Sequence, residues 1–218
     1  MKHLVAAGSA PGRDHALLER PNQDAWAAVE GAWGAAAVVC DGCGSEPHSG
    51  VGARLGAAMA ASLIGRQMEA AGRLDLELLR VQMLCRLDLI VRTAAIDARE
   101  HLLFTLVGAV SAEEALVFAC GDGLWAVDGA VSRLGPFPEN RPPYLAYGLE
   151  GVPVGFERLY QGPASSVWVG TDGAADAPAE LFACEERLLR NPDMVRRTLR
   201  RQRFADDATL ALIVRRPL

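Results

Sequence analysis

Short apolar runs and polar stretches alternate over the first forty residues. Apolar runs of strand length cover residues 4–8, 25–29 and 33–40, and the polar residues 9–22 between the first two predict a loop. The third run is continuously apolar and ends at Asp41-Gly42. This pattern is typical of a buried strand that stops at a turn.

Two stretches with helical spacing follow these strands. Residues 50–71 are rich in Ala and Gly, and the larger apolar residues in them are four apart: Val51, Leu55, Met59 and Leu63. This spacing predicts a helix with small residues on it, suited to close packing. Apolar residues recur at the same spacing from residue 74 to about His101 and predict a second, longer helix.

The second half of the chain returns to short apolar runs. Asp128-Gly129 separates two of them and is a strong hairpin signal. Residues 136–163 are rich in Pro and Gly, which predicts irregular structure. The remaining predicted strands cover residues 105–110, 115–120, 125–127, 130–134, 166–170 and 209–215, and the predicted helices cover residues 178–190 and 192–203.

Strands and helices therefore come in runs rather than in strict alternation. Such an order favours an α+β layered sandwich over a doubly wound parallel sheet. The length of 218 residues fits one domain, spanning residues 1–218, with a sizeable core.

Composition excludes several classes of protein. Half of the residues (50%) are hydrophobic and the net charge is −5, as in an ordinary soluble protein. The acidic balance gives no support for nucleic-acid binding. No apolar run has the length of a membrane helix, and the first residues lack the apolar core of a secretory signal. We therefore expect a cytoplasmic protein without a membrane partner.

Aspartates recur at the predicted ends of strands. If those ends meet at one edge of a sandwich, the carboxylates converge and repel one another unless cations lie between them. Ligation by oxygen alone suits Mg²⁺ or Mn²⁺. Five motifs carry these aspartates: Asn22-Gln23-Asp24, Asp41-Gly42, Gly121-Asp122-Gly123, Thr171-Asp172-Gly173 and Asp206-Asp207-Ala208-Thr209.

The five motifs, in this order, resemble those of the metal-dependent protein phosphatases of the PP2C (PPM) type, and in particular the compact bacterial branch. The resemblance runs from about Gly8 to Val214. It implies a four-layer α-β-β-α sandwich in which two mainly antiparallel sheets are flanked by helix pairs. It also implies phosphorylated proteins as substrates and allows a cognate Ser/Thr kinase as a further partner. It leaves the oligomeric state open.

The resemblance implies a site for two Mg²⁺ or Mn²⁺ ions. Asp41 matches the carboxylate that bridges them, and the Gly42 carbonyl matches a backbone ligand to one of them. Asp172 and Asp206 match the ligands of the other. A hydroxide that bridges the two ions would hydrolyse phosphoserine or phosphothreonine, since two cations can bind the phosphate and lower the pKa of a water between them.

Other positions match supporting roles. Asp24 matches an acid that holds metal-bound water, and Asp122 matches a ligand of a third, weaker metal. Many members place a phosphate-binding Arg where this chain has Glu19. Arg20 and His15 are the candidates to bind phosphate instead, and the sequence leaves the choice between them open.

Two alternatives remain open at the level of sequence. Cys43 stands where some members carry a proposed acid histidine, which leaves a metal-bound water or His48 to protonate the leaving group. Cys43 in place of this histidine, together with Glu19 in place of the arginine, motivates the first alternative, a regulatory or phosphoprotein-binding domain with little turnover. A zinc or thiol-redox site at Cys40-x-x-Cys43 is the other alternative, for which His48 is the one nearby additional ligand.

Overall fold

Two antiparallel sheets form the centre of the computed structural model, which describes residues 1–178, 181–182, 186–191 and 193–217 (at residue 140 the backbone only). The first sheet has the order β1 (Lys2–Ala10), β10 (Ala208–Arg216), β9 (Ser166–Gly170), β6 (Gly123–Val127) and β7 (Ala130–Leu134). The second has the order β2 (Ala25–Gly31), β3 (Gly34–Gly42), β4 (Phe104–Ser111), β5 (Ala115–Cys120) and β8 (Glu157–Gly162).

Strand β3 is buried on both faces, which explains its continuous apolar sequence. Alternate side chains of a strand point to opposite faces of the sheet. Ala35, Ala37 and Val39 therefore pack between the two sheets, while Val38 and Cys40 pack towards helices on the outer face of the second sheet.

Helices cover the outer face of each sheet. The second sheet is covered by α2 (Ser49–Ala71) and α3 (Leu76–Ala94), and the first by α5 (Glu186–Arg190) and α6 (Met194–Gln202). The small residues of α2 allow a close approach: a Cβ at Gly56 would lie 2.4 Å from the ring of Phe104. The four-layer α-β-β-α sandwich implied by the resemblance is thus confirmed.

Three local predictions were wrong. The helix expected from residue 74 to His101 ends at Ala94, because Ala95 has a φ of 52°, and a separate helix α4 (Ala98–Leu102) begins after Asp97. The loop expected over residues 9–22 contains the short helix α1 (Arg13–Leu17). The segment 136–163, expected to be irregular, contains strand β8 and two 3-10 turns, Pro138–Asn140 and Leu145–Glu150.

The helices expected over residues 178–190 and 192–203 are confirmed in part: within the described residues, Glu186–Arg190 and Met194–Gln202 are α-helical, whereas Pro178 and Phe182 are not. Helices α5 and α6 fall within them, whereas residues 179–180, 183–185 and 192 lie outside the described residues. Among the helices that are described, none combines the length and apolar character needed to cross a membrane.

Candidate active site

One cleft of about 660 Å³ opens where the ends of several strands meet. Asp41 lies at the end of β3, Asp122 joins β5 to β6, Asp172 follows β9 and Asp206 precedes β10. All four carboxylates line the cleft, and so does Gly42. The structure therefore brings together the residues that sequence comparison assigned to the metal ions.

Close backbone packing sets the positions of Asp172 and Asp206. Thr171 N donates to the Thr209 carbonyl at 3.0 Å, which holds the end of β9 against the start of β10. Beside this contact, a Cβ on Gly173 would lie 1.9 Å from the Asp207 carbonyl oxygen. Glycine is therefore required after Asp172, because any side chain there would force the two loops apart.

Asp24 lies buried behind the cleft, with 4% of its surface exposed. Its Oδ2 accepts a hydrogen bond of 2.7 Å from Thr171 Oγ1, which in turn accepts from Thr209 N at 3.0 Å. Its Oδ1 is buried and has no hydrogen-bond partner among the described residues. Burial raises the pKa of Asp24 to about 7, although the Thr171 hydroxyl opposes the shift.

The carboxyl groups of Asp41, Asp122 and Asp206 are also shifted towards the protonated form. Burial, and then the neighbouring charges of Asp24 and Asp172, raise the pKa of Asp41 well above its ordinary value. Burial raises the pKa of Asp122 to about 6 and raises that of Asp206, and the charge of Asp172 adds to both shifts. The cleft thus holds more negative charge than the protein alone stabilises.

These residues fit divalent cations of the Mg²⁺ or Mn²⁺ type. The converging donors are oxygen atoms, which hard cations prefer. Within the described part of the chain, none of the four cleft carboxylates forms an ion pair with Lys or Arg. The unpartnered Asp24 Oδ1 adds a buried acceptor beside them. A cation would relieve both the mutual repulsion and this unmet acceptor.

His15 lies at the cleft with its ring fixed by Asp207. His15 is buried, and its Nδ1 donates a hydrogen bond of 2.8 Å to Asp207 Oδ2. Asp207 also accepts from Gly12 N at 2.7 Å and from Gln23 N at 2.6 Å. Sequence reasoning missed this role of Asp207, because two adjacent aspartates look alike until the burial of each is known.

Arg20, the other candidate for phosphate binding, is exposed and does not line the cleft. Two arginines that sequence reasoning overlooked do line it: Arg99 and Arg141. Arg99 donates to both carboxylate oxygens of Glu150, at 2.7 and 2.5 Å. Arg141 is more loosely held, with Nη1 3.4 Å from Glu139 Oε2. Both arginines lie outside the five acidic motifs, so no motif in the sequence indicates that they line the cleft.

The three residues around Asp41-Gly42 that were considered as a leaving-group acid or as zinc ligands, Cys40, Cys43 and His48, differ in burial and position. Cys40 is fully buried in β3, and burial raises the pKa of its thiol well above the ordinary value. Cys43 lines the cleft, with Sγ 3.2 Å from Ser45 Oγ. His48 is exposed and is not among the residues that line the cleft.

Known proteins share this architecture. The serine/threonine phosphatase Stp1 from Staphylococcus aureus has a similar structure, with 15% sequence identity and a TM-score of 0.63, and the match covers 98% of this chain and 95% of that one. The Mycobacterium tuberculosis serine/threonine phosphatase PstP/Ppp is also similar, with 14% identity, a TM-score of 0.64 and coverage of 98% of this chain and 99% of that one. The S. agalactiae serine/threonine phosphatase has 14% identity, a TM-score of 0.67 and coverage of 98% of this chain and 100% of that one. At these identities the likeness shows the fold.

Comparison of the sequence with models of protein families shows the family of this chain. No curated protein matches the chain at a significant level. The family model described as Protein phosphatase 2C, however, matches residues 11–142, which is more than half of the chain and includes the motifs of Asp24, Asp41 and Asp122. The chain belongs to the protein phosphatase 2C family.

Proposed function

We propose that the protein is a Mg²⁺- or Mn²⁺-dependent phosphatase that hydrolyses phosphoserine and phosphothreonine on proteins. The observation that carries the proposal is the convergence of Asp41, Asp122, Asp172 and Asp206 on one cleft. Membership of the protein phosphatase 2C family supports it. A related structure, the catalytic domain of the phosphatase PstP, is described as a complex with two manganese ions, which supports the same type of cofactor.

Each acidic residue has a proposed part in holding the ions. Asp41, Asp172, Asp206 and the Gly42 carbonyl would hold two of them, and Asp122 would contribute to a third. When bound, the ions would neutralise the substrate phosphate and lower the pKa of the water between them, which supplies the nucleophile. Asp24 would orient water through its free Oδ1, because its Oδ2 is already held by Thr171.

The substrate phosphate needs polar side chains on the protein side of the cleft to contact it. His15 is one candidate, because the bond from its Nδ1 to Asp207 leaves Nε2 free to contact the phosphate or the leaving group. Arg141 is the other, since a guanidinium forms two parallel bonds with a phosphate. Arg141, Tyr144 and Tyr147 come from the segment between β7 and β8, which we propose as the part that contacts phosphoprotein substrates.

The test is hydrolysis of a generic aryl phosphate and of a phosphothreonine peptide with Mn²⁺. Wild-type activity should vanish with EDTA and in Asp41→Asn and Asp172→Asn. Activity that survives both chelation and substitution would overturn the proposal. Tight binding of the phosphopeptide without phosphate release would instead identify a regulatory or phosphoprotein-binding domain, the alternative that Cys43 and Glu19 motivate.

A further inference from the structure

A second cluster of metal-ligating side chains lies outside the acidic cleft. It consists of His48, at the start of α2, and Glu100 and His101 in α4. One ligand atom from each residue lies within 4.8 Å of the others. None of the three is among the residues that line the cleft. We propose that this cluster is a site for a borderline-soft divalent cation such as Zn²⁺.

The distances in the cluster suit tetrahedral ligation. His48 Nε2 and Glu100 Oε1 are 3.4 Å apart. Two ligands of a tetrahedral zinc, with bonds of about 2.0–2.1 Å, are separated by about 3.4 Å. The rings of His48 and His101 face each other, with centroids 5.0 Å apart and planes at 24°. A ligand atom of the third residue, His101, lies within 4.8 Å of those of the other two.

The tautomer of His101 is already that of a metal ligand. Its Nδ1 lies 3.1 Å from the Asp97 carbonyl oxygen, which can only accept, so Nδ1 carries the proton. Nε2 is then the atom with the free lone pair. Metal-binding histidines regularly donate their other N–H to a backbone carbonyl or a carboxylate in this way. Two histidines and one carboxylate leave a fourth position for water or another ligand.

The chemistry of the donors separates this site from the acidic cleft. Imidazole suits zinc and other late transition metals, whereas carboxylates and carbonyls suit Mg²⁺ and Mn²⁺. The cysteine alternative loses one of its two thiolates, because Cys40 is fully buried in β3. His48, Glu100 and His101, rather than Cys40 and Cys43, are therefore the ligands of the proposed zinc site.

Occupation of the site would join two walls of the cleft. His48 lies two residues after Glu46, at the end of the loop in which Cys43, Gly44, Ser45 and Glu46 line the cleft. Glu100 and His101 share the short helix α4 with Arg99, which also lines the cleft. A cation bound to both segments would fix their separation and stabilise the folded state, because it binds only when the two are in place.

The test is zinc titration of the full chain, stripped of metal and then held in excess Mg²⁺ to occupy the acidic cleft. Competition with a chromophoric chelator should show one tight equivalent of Zn²⁺ in the wild-type protein. His48→Ala and His101→Ala should each weaken binding by at least about tenfold, since even the loss of an outer partner of a ligand costs that much. Cys43→Ser and Asp41→Asn should bind zinc as the wild-type protein does.

A second readout identifies the ligands directly. Co²⁺ bound at the site should give the visible bands of nitrogen and oxygen ligation without a thiolate charge-transfer band. Thermal melting checks that each variant is folded, and His48, with 55% of its side chain exposed, is the substitution least able to disturb the fold. Absence of tight zinc binding in the wild-type protein, unchanged affinity in both histidine variants, or a thiolate band would overturn the proposal. Each of these outcomes is independent of phosphatase activity.

Discussion

His15 and Asp207, 192 residues apart in the chain, form a buried hydrogen bond of 2.8 Å between Nδ1 and Oδ2. The same carboxylate accepts from the backbone N–H groups of Gly12 and Gln23. Asp207 therefore ties the segment before α1 and the Asn22-Gln23-Asp24 motif to the start of β10. This arrangement fixes the His15 ring at the cleft and at the same time stabilises the meeting point of three loops.

Substitution of His15 should affect both catalysis and stability. We expect His15→Ala to lower kcat/KM for a phosphopeptide by about 10²–10³-fold, as is usual when a donor to the reacting group is lost. It should also lower the free energy of unfolding by about 1–3 kcal/mol, because the buried Asp207 loses one of its donors. Steady-state kinetics and thermal denaturation measure the two effects.

Asp14→Asn is the matched control for this prediction. Asp14 neighbours His15 in α1, but its side chain is 61% exposed and its ion pair with Arg13 is on the surface. Both kinetics and stability should stay near the wild-type values. If His15→Ala retains wild-type kinetics while it lowers stability, then His15 only supports the fold.

Neutralising Asp41 should stabilise the metal-free protein even though it abolishes metal binding. Burial and the charges of Asp24 and Asp172 disfavour the ionised Asp41 carboxylate. We expect metal-free Asp41→Asn to melt above the metal-free wild-type protein, by about 2–4 °C for each kcal/mol gained. Saturating Mn²⁺ should raise the Tm of the wild-type protein and leave that of the variant nearly unchanged.

Calorimetry with and without EDTA makes this comparison. Asp128→Asn is not a suitable control, because Asp128 accepts hydrogen bonds from Ser165 N and Ser166 N. Asp88→Asn is preferable, since among the described residues Asp88 pairs with Arg92 at the surface. A lower Tm in metal-free Asp41→Asn would show that the carboxylate is stabilised without a cation.

The acidic motifs could be predicted from the sequence because each stands where an apolar run stops. A buried strand such as β3 produces a continuous apolar run, so its end at Asp41 is visible without a structure. The gathering of Asp41, Asp122, Asp172 and Asp206 at one cleft followed from the order of the motifs and the resemblance. Neither source could show which hydrogen bonds hold each carboxylate.

Features that depend on packing over long distances could not be predicted. Ala95 ends α3 with a positive φ although alanine is a strong helix former. The next helix begins after Asp97, whose side chain accepts from the backbone N–H groups of Arg99 and Glu100. Arg141 reaches the cleft from a segment that carries no motif. The role of Asp207 depends on backbone donors from two distant loops.

The metal-free protein should lose stability as the pH rises from about 4 to about 7. The pKa of Asp24 rises from 3.8 to about 7 on folding, chiefly through burial. Below pH 4 the group is protonated in both states, so it costs nothing. Between pH 4 and pH 7 the Asp24 carboxyl loses its proton in the unfolded chain but keeps it in the folded protein, so rising pH favours unfolding. Above about pH 7 the group is ionised in both states, and the free energy of unfolding falls no further on its account.

Unfolding in urea with EDTA at pH 5.0 and 7.5 measures this effect. Asp24→Asn should show a smaller difference between the two pH values than the wild-type protein, because Asn can still accept from Thr171 and does not titrate. Mn²⁺ should stabilise the wild-type protein more at pH 7.5 than at pH 5.0. Equal pH dependence in the variant and the wild-type protein would assign the slope to other groups.

Arg141, rather than Arg20, should contribute to phosphate binding. Both side chains are exposed, but only Arg141 lines the cleft. We expect Arg141→Ala to raise KM for a phosphopeptide by about 10–100-fold, with a smaller effect on kcat. This range follows because a hydrogen bond to a charged group contributes about 1.5–3 kcal/mol. Arg20→Ala removes the same charge from a position outside the cleft and should leave both parameters nearly unchanged. A greater loss in Arg20→Ala than in Arg141→Ala would reverse the assignment and imply that the loop after α1 moves towards the cleft when substrate binds.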